Sequence, residues 1–399
     1  MTVDLSDPDT FVAACPHEAF EELRRTQPVY WQDMRDEPGY WAVLRHDDVV
    51  HVAREPTLFS ASEGGVVLED LAPEQLEMMR DMLLAMDPPR HQRYRRPVAP
   101  RFTARVIGRL EARVRVICRD LLAQARGQCE VELVHDVTSG LPARVIGELV
   151  GIPDDDVATI HRLAERNTSG QDPDLAGNDS ADAASASIEM AMYAIGHAAR
   201  RRAEEPRDDL TTLLLEADFG GERMTDIDFG RFFVQLVTAG NDTTKTMLSS
   251  GLLALLEHPD QMRALRADPA RIPGAVEEIL RWANPLHYFR RTATSDTELR
   301  GVPIKRGAKV AMYYTSANRD EAVFADPHRF DISRDPNPHL SFGIAEHFCL
   351  GVHLARLEGR VFFEELLAAF PTIELIGEPV RTRSNLNNAL KRLPVRLAA

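Results

Sequence analysis

Apolar residues recur at helical spacing over most of the chain. From Val106 to Leu121 they fall three or four positions apart, which predicts an amphipathic helix between Arg101 and about Gly127. The same pattern, with helix start and stop signals, predicts further helices at about 188–204, 209–217 and 226–257, before Pro285, and from Cys349 to about Phe370. The sequence therefore indicates a mainly α fold.

A smaller part of the chain has the pattern of short β-strands. Residues 28–60 contain two β-prone runs, around Trp41–Leu44 and Val49–Val52, with a polar turn between them. Residues 290–315 alternate as strands around turns, and the C-terminal tail is typical of a strand pair. Repeats and an obvious linker are absent from the sequence, so we expect one large domain over residues 1–399.

Composition and charge exclude several classes of protein. The 399 residues carry a net charge of −15, which argues against general nucleic-acid binding. The four cysteines include no CxxC pair, so we expect neither a disulfide framework nor a structural zinc site. The N-terminus lacks the pattern of a signal peptide, and no run of about 20 apolar residues predicts a membrane span. A cytoplasmic protein is expected.

One cysteine lies in a setting that suggests chemistry. In "FGIAEHFCLG", Cys349 comes just before a strongly helical run, where the positive end of the helix dipole favours thiolate over thiol. Thiolate is a soft, strongly donating metal ligand. Gly343 and Ala345 are small enough for a loop to pass close beneath a flat cofactor. A lone cysteine is more often buried and inert, so the surrounding residues decide between the two interpretations.

The surrounding residues resemble the haem-binding loop of the cytochrome P-450 family, whose pattern is F-G-x-G-x-H/R-x-C-x-G followed by A-R-x-E. The matching residues are Phe342, Gly343, His347, Cys349, Gly351, Ala355, Arg356 and Glu358. Ala345 departs from the pattern, because the family usually has glycine there. The resemblance implies a P-450 fold, with haem b buried between a long central helix and the helix after Cys349. It also implies that Cys349 ligates the iron and that Phe342, His347 and Gly351 contact the cofactor.

A second stretch agrees with this resemblance. Glu278 and Arg281 lie three apart in "EEILR" and share a helix face. By itself such a pair is commonly an exposed ion pair of little energetic value. In the family, an E-x-x-R pair joins a downstream arginine to brace the structure behind the haem. The resemblance assigns that third position to Arg329 in "DPHRFD".

The central helix contains residues that disfavour a regular helix. In "AGNDTT" an acid precedes a hydroxyl, and Gly240 weakens the helix by up to about 1 kcal/mol relative to alanine. The stretch is similar to the family's A-G-x-D/E-T-T motif. That likeness places Ala239 and Gly240 at the cofactor, and Asp242 and Thr243 above the iron as the catalytic pair that delivers protons to dioxygen. A threonine bonding back to the preceding turn remains an open alternative.

Further residues are implied as partners of the haem propionates. His91 and Arg95 lie four apart in "DPPRHQRYR", on one helix face. Arg291 aligns with the family's propionate arginine, and His347 is the fourth candidate. Each residue alone would usually have a solvated surface role, but a buried anionic cofactor requires cationic partners.

The resemblance also implies a substrate pocket with a mostly apolar lining. Its predicted side chains are Val237, Leu286, Tyr288, Phe289 and Leu386. The polar segment 167–187 borders it and is either a surface connection or a mobile lid. Residues 90–119 contain ten arginines and one acid, and some of them are expected to dock an acidic ferredoxin.

The expected function is that of a haem-thiolate monooxygenase. It inserts one atom of O2 into a hydrophobic terpenoid, steroid or lipid-like molecule, with electrons from NAD(P)H through a ferredoxin and ferredoxin reductase. Oxidative tailoring of a polyketide or another secondary metabolite is the alternative substrate class. A peroxide-driven peroxygenase and a non-catalytic haem-thiolate sensor or carrier are the alternative activities, and neither needs the acid–alcohol pair.

Overall fold

The structure is a computed structural model that describes residues 3–128, 130–176 and 180–398. Part of the predicted 167–187 segment, residues 177–179, therefore lies outside the described residues. None of the helices in these ranges is both long and apolar enough to cross a bilayer.

Helices form most of the described chain. They are α1 (His17–Thr26), α2 (His46–Arg54), α3 (Pro73–Arg80), α4 (Arg90–Val98), α5 (Ala104–Ile107), α6 (Glu111–Arg126), α7 (Gly140–Val150), α8 (Asp154–Thr168), α9 (Pro173–Ala176), α10 (Ser180–Arg202), α11 (Leu210–Glu216), α12 (Asp226–Glu257), α13 (Pro259–Ala267), α14 (Ile272–Ala283), α15 (Tyr314–Ala317) and α16 (Val352–Ala369).

Short strands form four small sheets. The strands are β1 (Val29–Gln32), β2 (Tyr40–Val43), β3 (Phe59–Ser60), β4 (Val131–Glu132), β5 (Tyr288–Ala293), β6 (Thr297–Leu299), β7 (Val302–Ile304), β8 (Lys309–Tyr313), β9 (Thr372–Leu375), β10 (Val380–Arg381), β11 (Leu390–Arg392) and β12 (Pro394–Ala398). The largest sheet has the order β1-β2-β8-β5-β3, and only its β2–β8 pair is parallel among the described strands. The mainly α fold with a small β portion is confirmed.

The long helix α12 is the centre of the main core. Its start is fixed by a capping box, in which Asp228 N donates to Thr225 Oγ1 and Thr225 N donates to Asp228 Oδ2, both at 3.1 Å. From Phe229 onward most of its side chains are buried, and it packs against α7, α8, α10, α14 and α16. A helix surrounded on most sides needs this nearly continuous apolar sequence.

Strand β5 separates two sets of side chains. Because side chains alternate along a strand, Phe289 and Arg291 lie on one face of the sheet, and Tyr288 and Arg290 lie on the other. The antiparallel register with β8 pairs Tyr288 with Tyr313. This alternation decides which of the predicted pocket residues lie on the same side as Arg291.

The prediction of a strand at Val49–Val52 is wrong, because both residues lie in α2. Asp47 and Asp48 in the first turn suit a helix N-terminus. The three-residue spacing puts both valines on the buried side of the helix, so packing overrides their β propensity. Helix α10 also begins earlier than predicted, at Ser180, in an alanine-rich stretch that favours helix.

Candidate functional site

The loop before α16 holds Cys349 in a tight backbone turn. Cys349 N donates to Phe342 O at 2.8 Å, and Phe348 N donates to Ala345 O at 3.1 Å. Two residues of the loop have left-handed backbone angles, Gly343 with φ 65° and Ala345 with φ 58°. The position where the family pattern has glycine therefore demands a conformation that glycine adopts without strain and alanine does not.

The environment of Cys349 acts on its thiol in two directions. Burial raises the pKa of the Cys349 thiol, while the N–H of Gly351 and the charges of Arg95 and Arg356 lower it. The start of a helix is therefore not sufficient to make the thiolate here. A bound metal ion would deprotonate the thiol outright. Gly351 has an ordinary φ of −84°, so what it contributes to the sulfur is its N–H.

The four predicted propionate partners come together beside this loop. The rings of His91 and His347 have centroids 4.5 Å apart, and Arg95 donates to Phe348 O at 2.6 Å. Arg291 is 4% exposed and donates to Arg290 O at 2.9 Å. Within the described chain, neither ring nitrogen of His91 and not Nε2 of His347 has a hydrogen-bond partner. Buried polar atoms are normally paired, so this cluster suits a ligand.

The charges of the cluster fit an anionic cofactor edge. Burial lowers the pKa of His347 to about 2, and Arg291, His91 and Arg95 act in the same direction. Burial also lowers the pKa values of His91 and Arg291. Two propionate carboxylates would supply the missing acceptors and negative charge. The residues present therefore fit haem b, with Cys349 as the metal ligand.

The face of α12 that carries the predicted catalytic pair is open in its middle. Ala239 is exposed and Thr243 is half-buried, although most of the helix around them is buried. Thr243 Oγ1 donates to Ala239 O at 2.8 Å, so the threonine does bond back to the preceding turn. A methyl group on Gly240 would contact Ile146, so this glycine lets α7 pack closely on α12.

Asp242 belongs to a buried ionic chain that the sequence analysis did not identify. Lys245 Nζ lies 2.7 Å from Asp242 Oδ1 and 3.4 Å from Glu165 Oε1, and Glu165 Oε2 lies 3.6 Å from His161 Nε2. Although burial opposes the charged form, Asp242 and Glu165 raise the pKa of Lys245. The acid therefore faces α8, about one residue's rotation away from the Thr243 hydroxyl.

Two of the predicted pocket residues point elsewhere. Val237 borders a small cavity between α12, α7 and α8, and helical geometry puts it about 120° from Thr243. Tyr288 is fully buried on the other face of β5, where its hydroxyl accepts from Leu68 N at 3.2 Å. Both assignments are wrong. Leu236, which shares a face with Ala239 and Thr243, replaces Val237 as the apolar candidate.

The remaining pocket candidates lie at one junction. Leu286, Phe289 and Leu386 are half-buried, and Phe289 lies on the same face of β5 as Arg291. The tail is joined to the start of β5, because His287 N donates to Leu386 O at 2.7 Å. These three apolar side chains remain candidates for substrate contact.

The predicted brace exists, but with a different third residue. Arg281 donates to Glu278 at 2.8 and 2.7 Å, and both side chains are fully buried. The prediction of Arg329 as the third member is wrong, because its side chain is 64% exposed and only its carbonyl accepts from Arg281. Arg334 instead donates to Glu278 Oε2 at 3.2 Å. The intervening loop turns back on itself, which sequence order alone does not show.

The comparisons with known proteins agree with this geometry. The family model described as Cytochrome P450 matches residues 179–393. A steroid C26-monooxygenase of Mycolicibacterium smegmatis is 38% identical, with 98% of this chain and 93% of that protein covered. A methyl-branched lipid omega-hydroxylase of Mycobacterium tuberculosis is 40% identical over 94% of this chain and 90% of that protein.

The solved structures are similar over the whole chain. A Mycobacterium marinum cytochrome P450 in complex with pseudoionone has a TM-score of 0.92 and 39% identity, and the match covers 100% of this chain and 99% of that one. A Novosphingobium aromaticivorans protein has a TM-score of 0.89 and 32% identity, covering 99% and 97%. With the cysteine loop, the cationic cluster and the acid–alcohol pair all present in the expected order, this chain belongs to the cytochrome P450 family of haem b monooxygenases.

Proposed function

We propose that this monooxygenase hydroxylates the end of a methyl-branched aliphatic chain in a hydrophobic terpenoid, steroid or lipid-like molecule. Two relatives at 38% and 40% identity carry names for oxidation at a chain end, the steroid C26 position and the omega position of a methyl-branched lipid. The similar solved structure contains pseudoionone, which is also a methyl-branched chain. Such a substrate is recognised mainly by apolar contact.

The observation that carries the activity is the pairing of two features around one interior region. The Cys349 loop and the unpartnered cationic cluster lie at one side, and the open Ala239–Thr243 face of α12 supplies an acid and an alcohol. A haem-thiolate carrier or sensor needs the first feature but not the second. The acid–alcohol pair therefore favours oxygen chemistry over simple haem binding.

Each group of residues has a distinct task. When bound, haem supplies the activation of dioxygen, while the protein controls position, protons and water. We assign Cys349 to ligation, and Arg291, Arg95, His91 and His347 to the propionates. The Thr243 hydroxyl and the Asp242 carboxyl hold and move protons, and Lys245 keeps that carboxyl ionised until it is needed. Leu286, Phe289 and Leu386 orient the substrate and exclude water.

The electrons have to come from outside the chain. We propose that a ferredoxin, reduced by its NAD(P)H-dependent reductase, supplies them at the surface beside the Cys349 loop. Part of this loop is accessible, since the Phe348 side chain is 38% exposed.

The test begins with the purified holoenzyme. Reduction and carbon monoxide should give the Soret band characteristic of thiolate ligation, and Cys349→Ser should abolish it. The holoenzyme is then titrated with cholestenone, phytanic acid, pseudoionone and a macrolide, and turnover under ¹⁸O2 is followed by mass spectrometry. We expect Soret shifts and chain-end hydroxylation with the first three compounds. A productive response to the macrolide alone would overturn the substrate proposal in favour of polyketide tailoring.

The acid–alcohol pair is tested separately. Thr243→Ala should retain haem and substrate binding but divert most electrons from product, because the hydroxyl that positions a proton is missing. Thr243→Ser is the matched control and should keep coupling near wild type. If Thr243→Ala turns over with unchanged electron recovery in product, proton delivery by this residue is wrong.

A further inference from the structure

A buried polar cluster holds the C-terminal tail against the segment that follows α8. Asp172 is 1% exposed, and Lys391 Nζ donates to its two oxygens at 3.1 and 3.0 Å. Arg383 N donates to the same carboxylate at 2.8 Å. Beside it, the Gln171 side-chain oxygen accepts from Ser384 Oγ at 3.0 Å. We call these five residues the clasp.

The clasp lies next to the candidate pocket. Asn387 Nδ2 donates to the last carbonyl of α8, Thr168 O, at 3.0 Å, and Asn387 also forms a β-bridge with Leu286. Leu386 lies one residue earlier and is bonded to the start of β5 through its carbonyl. The tail is therefore a strut between the end of α8 and the β5 junction, and it carries the pocket side chain Leu386.

The contacts of Lys391 differ in burial. The side chain of Asp172 is 0% exposed, whereas Asp174, which lies 2.6 Å from the same ammonium, is 72% exposed. Removing one partner of a buried pair leaves an uncompensated charge, but an exposed pair contributes little. Asp172 therefore dominates the closure, and Asp174 offers a matched control on the same lysine.

We propose that the Asp172–Lys391 pair is the contact that has to open for a bulky hydrophobic molecule to enter or leave the active site. Opening separates the α8 end from the tail strut and lets water hydrate both charges, which limits the rate of exchange. Asp172 and Lys391 act as positioning residues and touch no reacting atom. This inference rests on the proposed function, since it needs a pocket at Leu286 and Leu386.

The experiment measures ligand exchange in the holoenzyme by stopped-flow Soret absorbance. The bulky probe is 4-phenylimidazole, which binds haem iron, and the small probe is carbon monoxide bound to the reduced enzyme. In Asp172→Asn and Lys391→Met we expect association and dissociation of 4-phenylimidazole to accelerate by at least about tenfold, a barrier change of about 1.4 kcal/mol. The equilibrium constant should change much less, and carbon monoxide rates should stay at the wild-type value.

The controls separate gating from loosening of the fold. Asp174→Asn and Lys391→Arg should exchange 4-phenylimidazole at the wild-type rate. Asp172→Asn keeps acceptors for the backbone N–H groups, so it serves if Lys391→Met folds poorly. Unchanged 4-phenylimidazole rates in Asp172→Asn would overturn the proposal, and so would equal acceleration of carbon monoxide. Failure of the proposed function is distinct, since it shows as a wild-type carbon monoxide complex without the thiolate band.

Discussion

At the scale of single residues, the alanine in the cysteine loop makes a quantitative test of backbone strain. Ala345 has φ 58°, a left-handed angle that costs a non-glycine residue roughly 1–2 kcal/mol. Ala345→Gly should therefore stabilise the holoenzyme by about 1 kcal/mol, after allowing for the extra freedom glycine has when unfolded. Equilibrium urea unfolding measures the change.

Gly343 provides the reverse substitution in the same loop. Its φ is 65°, and the nearest atom to an added Cβ is 3.5 Å away, so Gly343→Ala tests the angle without a clash. We expect a loss of about 1–2 kcal/mol. If Ala345→Gly is neutral or destabilising while Gly343→Ala costs stability, the loop does not hold the strain that its angle indicates.

The brace can also be tested one residue at a time. Arg334 is 10% exposed and bonded to the buried Glu278 carboxylate, whereas Arg329 is 64% exposed. Arg334→Met should cost on the order of 3 kcal/mol, because it removes one partner of a buried charge network. Arg329→Met should stay within about 0.5 kcal/mol. Guanidinium unfolding compares the two, and an equal loss in both would return the brace to Arg329.

The single residues show what motif matching achieves and where it stops. His91, Arg95, Arg291, His347 and Cys349 are brought together as the resemblance implied. A motif fixes sequence order but not the direction of a side chain. Arg329, Val237 and Tyr288 were therefore assigned to the wrong places by loop path, helix rotation and strand alternation.

At the scale of elements, α16 contains an acid with no ion-pair partner among the described residues. Glu358 is 2% exposed, and burial raises its pKa to about 8. Since the folded pKa is above the unfolded one, this group favours folding fully only below the unfolded value of about 4.5, and stability falls as the pH rises from there toward 8. Glu358→Gln removes the titration.

The expected result is a pH-dependent gain of stability. At pH 7 Glu358→Gln should be more stable than the wild type by about 2–3 kcal/mol, and near pH 4.5 the two should converge. Glu365 on the same helix is the control, because Arg115 and Arg119 bind it at 2.6 and 2.7 Å. Glu365→Gln should destabilise at pH 7. Parallel pH profiles for wild type and Glu358→Gln would contradict the neutral acid.

Among the elements, sequence predicted α12 residue for residue and missed α2. The long helix carries a capping box, a sustained apolar sequence and a clear end, so local signals agree with its packing. Helix α2 has nine residues, and its valines favour strands. Tertiary packing decided its structure. The clasp was not predicted either, because its members lie about 210 residues apart in sequence.

At the scale of the whole molecule, the arginine-rich segment is mostly neutralised by its surroundings. Six of its ten arginines are ion-paired to carboxylates, namely Arg90, Arg93, Arg101, Arg113, Arg115 and Arg119. Arg95 bonds to carbonyls of the cysteine loop. Within the described ranges, Arg96, Arg105 and Arg109 remain exposed and without an ion-pair partner. They concentrate the available positive charge of a chain whose net charge is −15.

This distribution predicts where an acidic ferredoxin docks. Arg96 follows Arg95, whose guanidinium contacts Phe348 beside Cys349, and α5 with Arg105 packs against α16. Changing Arg96, Arg105 or Arg109 to Gln should slow reduction by a bacterial ferredoxin about three- to tenfold at low salt, since charge complementarity mainly raises association rates. Stopped-flow formation of the reduced carbon monoxide complex measures the rate.

Salt and a matched charge change complete the argument. Exposed charges are screened within about 3 Å at 1 M salt, so the difference between variants and wild type should vanish there. Arg306→Gln removes an equal charge from the turn between β7 and β8 and should leave the rate unchanged. If Arg306→Gln slows reduction as much as the other three, net charge governs the encounter. If wild-type reduction is insensitive to salt, the three arginines do not guide the donor.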